Sequence, residues 1–170
     1  LSFFLSVVTV FSDFPYPFQP IQLTVISAIT IGIPSFILAI EPNRELVKGK
    51  FLPNVMKKAL PGGLTNLIAV LGVELFAYYM QFSSDVLSTM SVVLMGYVGL
   101  LFIYYISKPV DTKRWILIGT LTAAFIAAIF VLGKFIGLVF LPGKCVLILI
   151  LLLIVSTLCM FLLCRAFDKI

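Results

Sequence analysis

The sequence predicts an all-α membrane protein, a polytopic helical bundle of about five full spans plus the end of a truncated sixth. Three observations lead to this fold class. Of 170 residues, 62% are apolar and 11% are charged, and the mean hydropathy is +1.21. Apolar runs recur at the length of about 20 residues that a helix needs to cross the hydrocarbon core. These runs lack the period-2 alternation of barrel strands, so helices are left to pair the backbone groups in lipid.

Five full spans follow a partial one. The partial span is predicted at 1–11, and the full spans at 21–40, 60–82, 86–106, 115–132 and 145–164. Leu1 stands inside an apolar stretch that lacks the basic segment and the small-residue cleavage site of a signal peptide. We therefore expect the single transmembrane domain at 1–170 to be a piece of a longer polypeptide.

Three connections between the spans have a distinctive composition. Pro15, Pro17 and Pro20 interrupt helical hydrogen bonding after the first span, and the aromatic residues among them suit the headgroup level. The stretch 41–58 is polar and basic, which predicts a cytoplasmic loop with room for a short surface helix. The link 133–144 is apolar and is expected in the membrane interface.

The basic residues predict the orientation, because cytoplasmic loops carry an excess of Lys and Arg. With strict alternation of the spans, Lys134 and Lys144 fall on one side. The other side carries Arg44, Lys48, Lys50, Lys57, Lys58, Lys108, Lys113, Arg114, Arg165 and Lys169. This asymmetry predicts a cytoplasmic C-terminus. The net charge of +5 then indicates contact with anionic lipid, and we expect the bilayer as a partner and no nucleic acid.

The second span carries the candidate metal site. Pro34 has no N–H, so the Thr30 carbonyl loses its helical partner, and Gly32 makes local unwinding easier. Broken helices are a recurrent way to build cation sites near the membrane midplane. The side chain of Ser27, the oxygens of Thr30 and the backbone of Ile31 are hard donors suited to Ca²⁺, Mg²⁺, Na⁺ or K⁺. Spacing places Ser27, Thr30 and Pro34 on one face. The alternative is a structural proline kink whose hydroxyls bond back to the helix.

Glu74 is a further metal-site candidate, because an ionisable group deep in a span is costly. A neutral glutamic acid that bonds to a Tyr or Thr of a neighbouring helix explains it equally well. Thr89 and Ser91 are expected to form ordinary hydrogen bonds between helices.

Two other residue types are assigned to packing. Cys145, Cys159 and Cys164 have no zinc or redox spacing, and the chain contains no histidine. Gly133 and Gly137 form a Gly-x-x-x-Gly pattern, which predicts close helix packing.

The second span and its flanks resemble a known family. Gln19-Pro20-Ile21-Gln22-Leu23, the central Gly32-Ile33-Pro34 and the Glu41-Pro42 ending, followed by a basic stretch, are similar to the sixth transmembrane helix of P-type cation ATPases. The stretch 14–43 is most similar to the bacterial branch that handles calcium or related divalent cations. Helix number and topology then fit the end of the fifth helix and helices six to ten.

This resemblance implies the membrane part of an ATP-driven cation pump in a bacterial plasma membrane. The parent would use ATP and Mg, transport a cation such as Ca²⁺, and supply upstream helices and cytoplasmic domains as partners. The family's phosphorylated aspartate and nucleotide-binding domain would lie upstream, so the chain is not catalytic alone and needs no cofactor itself. Related calcium and sodium pumps usually carry Asn at Ser27 and Asp at Ile31, so a site here would hold fewer or different ions.

Two alternatives remain open at this stage. A freestanding secondary transporter or channel-like protein would use the kink at Gly32 and Pro34 as a gate without ATP. A structural assembly subunit would have no transport of its own. The chain has no second Gly-x-Pro kink in a matching position, which a transporter built from inverted repeats would favour.

Overall fold

The computed structural model describes residues 2–12, 16–40, 51–107 and 112–168, which form helices joined by short turns, with no strand among them. Seven α-helices and one π-helical segment follow one another along the chain. They are α1 (Ser2–Ser12), α2 (Pro20–Ser27), the π segment (Ala28–Gly32), α3 (Ile33–Ile40), α4 (Phe51–Met80), α5 (Ser84–Ile106), α6 (Thr112–Leu132) and α7 (Gly143–Asp168). The predicted all-α bundle is confirmed.

Five stretches of the described helices are long and apolar enough to cross a membrane. They are Pro20–Ile37, Val55–Met80, Ser84–Ile106, Arg114–Val131 and Gly143–Phe167. The helix α1 has 11 residues, which is too short to span hydrocarbon. This agrees with five full spans and a partial one.

The structure differs from the predicted loop at 41–58, because α4 already begins at Phe51. Residues 41–50 lie outside the described residues. Pro53 is accommodated because it falls in the first turn, where the N–H groups have no intrahelical partner. Pro61 lies inside the helix, and its own carbonyl accepts a hydrogen bond of 2.7 Å from Thr65 Oγ1. The exposed Lys57, which was predicted in the loop, thus lies in the helix α4.

The helix α5 lies at the centre of the bundle. Its span is 72% buried, against 17–39% for the other four, and it contacts α2, the π segment, α4, α6 and α7. Three apolar clusters surround it. One joins α4, α5 and α7, the second joins α1, α2, α4 and α5, and the third joins the π segment, α5 and α6. The broken helix is thus held against α5 along one side.

The turn between α4 and α5 is closed by a left-handed residue. Gln81 has a φ of 54°, and the Phe82 N–H donates to the Ala77 carbonyl at 3.0 Å. This is the Schellman arrangement that ends many helices. We call this end of the bundle the hairpin end.

The connection from α6 to α7 corrects one prediction. Gly133 and Gly137 lie in a turn after α6, so their predicted role in packing helices together is wrong. The Leu138 N–H donates to the Gly133 carbonyl at 2.8 Å, and Gly137 has a φ of +72°, a conformation that favours glycine. The turn folds Ile136 into the bundle, where it is 3% exposed.

Gly62 and Gly63 offer a matched test of the α4–α5 contact. A Cβ on Gly62 would lie 2.6 Å from the Phe102 ring, whereas a Cβ on Gly63 would meet nothing within 4 Å. We expect Gly62→Ala to destabilise the protein by about 1–3 kcal/mol through overpacking. Gly63→Ala should leave stability unchanged or raise it. Thermal unfolding of both variants in detergent measures the difference, and equal midpoints would contradict this packing.

Candidate cation site

The helix that contains Pro34 breaks through a change in hydrogen-bond register. The Ala28 N–H donates to the Thr24 carbonyl, four residues back, whereas the Ile33 N–H donates to the Ala28 carbonyl, five residues back. Pro34 has no N–H and so cannot continue either pattern. Its missing donor would have bonded the Ile29 carbonyl in a π-helix or the Thr30 carbonyl in an α-helix. The break is therefore a π segment, a feature frequent at functional sites, rather than a simple kink.

The π segment divides the predicted site residues between two sides of the helix. Ser27, Ile31 and Gly32 are exposed on the bundle surface, with Ile31 at 63%. Thr30 is half-buried and Pro34 is buried. The structure thus does not keep Ser27 on one face with Thr30 and Pro34, because a π turn holds one more residue than an α turn and rotates the residues after it.

Thr30 is turned toward α5. Its Oγ1 donates to the Ile26 carbonyl at 2.8 Å. A Cβ built on Gly99 would lie 2.7 Å from Thr30 Cγ2, so the backbones of the π segment and α5 approach closely here. The Thr30 hydroxyl is engaged with its own helix, whereas the Ser27 side chain is exposed.

Glu74 lies elsewhere in the bundle. It is 2% exposed, and neither carboxylate oxygen has a hydrogen-bond partner in the described part of the chain. It stands six residues before the end of α4 at Met80, or about 9 Å from that end at 1.5 Å per residue. The structure therefore does not bring this enclosed carboxyl to the exposed side of the π segment.

Gln22 is a structural residue whose contacts sequence reasoning missed. It is 0% exposed, and its Oε1 accepts hydrogen bonds from Ser88 Oγ at 2.7 Å and from the Gln19 N–H at 2.9 Å. Its Nε2 donates to the Ile136 carbonyl at 2.9 Å. Gln22 thus joins α2, α5 and the 133–142 connection. The signal in the sequence that could have indicated this role is a glutamine within an apolar span.

Among the described residues, the Thr89 hydroxyl is hydrogen-bonded, whereas the Ser91 hydroxyl is not. Thr89 Oγ1 donates to the Asp85 carbonyl at 2.8 Å and accepts from the Val139 N–H at 3.0 Å, so it links α5 to the connection after α6. Ser91 is 0% exposed, and its Oγ has no partner in the described residues. Cys145 is buried in the cluster between α4, α5 and α7.

Metal ligands of the usual side-chain types are not clustered. The described ranges contain no group of three or more His, Cys, Asp or Glu side chains that could hold a metal ion. A cation bound at the π segment would therefore be held by hydroxyl and carbonyl oxygens, together with whatever groups approach its exposed side.

These features define a class, polytopic α-helical membrane proteins with one span broken inside the membrane region. Within it the chain is similar in sequence to bacterial cation-transporting ATPases, and this similarity confirms the predicted resemblance to part of such a protein. It is 34% identical over 112 residues to the probable cation-transporting ATPase exp7 of Streptococcus pneumoniae, covering 66% of this chain and 14% of that protein.

Calcium-transporting ATPases named CtpE are also similar. The match in Mycolicibacterium smegmatis is 46% identical over 65 residues, covering 38% of this chain and 8% of that protein. The match in Mycobacterium bovis is 42% identical over 69 residues, covering 41% of this chain and 9% of that protein. The matches thus span only 8–14% of these relatives. No family model and no solved structure matches the chain.

Replacing Gln22 tests its role at the junction. We expect Gln22→Leu to destabilise the protein by about 1–3 kcal/mol, because the Ile136 carbonyl and the Ser88 hydroxyl would lose their buried partner. Thr24→Val is the control, since Thr24 is exposed and its hydroxyl donates to the Pro20 carbonyl of its own helix. Thermal unfolding in detergent separates the two, and an unchanged midpoint for Gln22→Leu would contradict this role.

Proposed function

We propose that this chain is part of the membrane domain of an ATP-driven cation pump, and that its broken helix contributes to the cation path. One observation carries the proposal. Ser27, the last residue of α2, and Ile31 and Gly32 of the π segment are exposed on the bundle surface, where the backbone is widened and interrupted by proline. Similarity to cation-transporting ATPases supports the pump over a secondary transporter or an assembly subunit.

The exposed side of the π segment is suited to an interface within a larger protein. Ser27 and Gly32 are exposed there, and polar groups at membrane depth are costly against lipid. Upstream helices of the same polypeptide would cover this side and complete the cation's oxygen shell. The small size of Gly32 allows such a helix to approach closely.

The transported ion in this proposal is a hard cation, with Ca²⁺ or a related divalent ion as first choice. Two matched relatives are named calcium-transporting ATPases, and hydroxyl and carbonyl oxygens suit such ions. With serine at position 27 and isoleucine at position 31, the chain supplies little charge to the site. We therefore expect fewer bound ions than in pumps with an acidic residue there, or a different ion.

The rest of the pump follows from the same proposal. ATP and Mg would be used by cytoplasmic domains outside this chain, and a bacterial plasma membrane would be the location. The ten basic residues on one side of the spans favour a cytoplasmic C-terminus.

Variants of the broken helix in the complete pump test this function. Pro34→Ala restores an N–H, so the α-helical register should re-form and cation-stimulated ATPase activity should fall while thermal stability holds or rises. Ser27→Ala removes one neutral oxygen, which should raise the half-maximal cation concentration by roughly 2- to 10-fold. ATPase activity measured against Ca²⁺, Mg²⁺ and Mn²⁺ concentration gives both quantities.

Ser35→Ala is the matched control for Ser27→Ala, because Ser35 is also exposed but lies beyond the π segment in α3. It should retain the wild-type cation dependence. Wild-type affinity and maximal rate in both Pro34→Ala and Ser27→Ala would place the cation site elsewhere in the pump.

A further inference from the structure

Asn66 of α4 is a polar residue to which the cation path proposed above gives no role. It is half-buried, and its Oδ1 is enclosed without a hydrogen-bond partner in the part of the chain that the structure describes. Burial of an amide oxygen that loses water and gains no partner is costly. We therefore expect a group that is not among these residues to satisfy this atom in the complete protein.

The register of the α4–α5 hairpin places Asn66 level with Val98. The short turn between α4 and α5 makes the two helices antiparallel. Gly62 of α4 lies against Phe102 of α5. Asn66 follows Gly62 by four residues, and the same depth on α5 is four residues before Phe102. That residue is Val98, which stands next to the close approach of the π segment to α5.

Two further contacts place Asn66 at the depth of Thr30. A Cβ on Gly99, which follows the residue level with Asn66, would lie 2.7 Å from Thr30 Cγ2. Val70 follows Asn66 by one turn and packs in a buried cluster with Ile26 of α2. The broken helix runs alongside α5 in the same direction and is therefore antiparallel to α4. One turn back from Val70 thus corresponds to one turn forward from Ile26, at Thr30.

Asn66 also lies on the face of α4 that is directed toward α2 and α5. Gly62, one turn before it, contacts α5, and Val70, one turn after it, packs in the cluster that joins α1, α2, α4 and α5. Residues four apart share one face of a helix. The preceding residue, Thr65, is instead directed toward α7, where its Oγ1 lies 3.5 Å from Met160 Sδ.

The carbonyl that Pro34 leaves without an N–H donor lies on the bundle side of the π segment. Pro34 is buried, and this carbonyl belongs to Ile29 or Thr30, one turn earlier on the same side of the helix. Ile29 is 7% exposed and Thr30 is half-buried. The carbonyl and Asn66 Oδ1 are therefore at one depth, on the side of the π segment that faces the bundle.

A hard cation fits this pair of oxygens. Asparagine side-chain oxygens and backbone carbonyls are common ligands of Ca²⁺, which takes about six to eight oxygens at once. The described helices α2, α3 and α5 and the π segment contain no Lys or Arg, so no cationic side chain of these elements competes for the two oxygens. Water and the upstream helices of the complete pump would supply the remaining ligands.

We infer that Asn66 is a ligand of the transported cation. Its Oδ1 and the carbonyl that Pro34 leaves without a donor bind the ion on the bundle side of the π segment, opposite the exposed Ser27. The inference rests on the proposed function, and it extends the cation site to α4, from which that proposal takes no residue. The ion it selects is a hard divalent cation such as Ca²⁺.

Two substitutions at position 66 of the complete pump test this ligand. Asn66→Leu removes the oxygen at similar side-chain volume, so the half-maximal Ca²⁺ concentration for ATPase activity should rise by about 10-fold or more. Asn66→Asp keeps an oxygen in place and adds a negative charge, which should lower that concentration by roughly 2- to 10-fold. Thr65→Val is the control, because the Thr65 hydroxyl donates to the Pro61 carbonyl and lies against α7. It should keep the wild-type Ca²⁺ dependence.

An unchanged Ca²⁺ dependence in Asn66→Leu would overturn the inference, since a water molecule would then satisfy the oxygen. A rise of the half-maximal concentration in Asn66→Asp would overturn it too, because the amide would then act through its N–H as a donor to the carbonyl. If thermal unfolding shows that Asn66→Leu does not fold, the Asn66→Asp value decides, and a value equal to the wild type contradicts the ligand.

The same measurements separate this inference from the pump proposal. A wild-type ATPase activity that no cation stimulates contradicts the pump proposal itself. A cation-stimulated wild type with an unaffected Asn66→Leu contradicts only the role of Asn66.

Discussion

The missing N–H of Pro34 is the constraint on which the rest of the site depends. Within hydrocarbon, a backbone carbonyl that loses its helical donor cannot turn to bulk water. The chain responds with the π segment Ala28–Gly32, in which Ile33 bonds five residues back. The carbonyl that Pro34 leaves without an N–H donor is the candidate cation ligand of our proposal. The π segment also rotates Ile31 outward and leaves Pro34 buried.

The central helix α5 holds the broken helix in place at two depths. At the hairpin end, Ser88 donates to Gln22 of α2. Further along, Gly99 allows the Thr30 side chain to approach the α5 backbone closely. The broken helix and α5 run parallel between these two contacts. The contacts therefore fix the rotation of the broken helix about its axis as well as its distance from α5. The side that carries Ser27 is thereby directed away from α5.

Much of the fold could be predicted from the sequence, because span length and apolarity are local properties that lipid imposes on each helix. The start of α4 at Phe51 was not predicted, since the polar composition of 41–58 resembles a loop and Pro53 is acceptable in a first turn. Gly133 and Gly137 were assigned to helix packing from their spacing alone, although the predicted end of the span at 132 already placed them in the link that follows α6.

The candidate site was predictable only in part. Pro34 and Gly32 indicate a break, but the choice between a kink and a π segment depends on packing against α5. Gln22 bonds to Ile136, 114 residues away, which no local pattern reveals. Glu74 was recognisable as unusual from its depth, whereas its enclosure and its separation from Ser27 required the tertiary structure.

The central claim is that the exposed side of the π segment meets a transported cation. Single cysteines at Ser27, Ile31 and Phe36, in a complete pump whose native cysteines are replaced, can be modified with a thiol reagent with and without Ca²⁺. Ile31 and Phe36 are similarly exposed in the bundle, at 63% and 70%. The account predicts that Ca²⁺ slows modification at positions 27 and 31 and leaves position 36 unchanged. Equal rates with and without Ca²⁺ at positions 27 and 31 would contradict it.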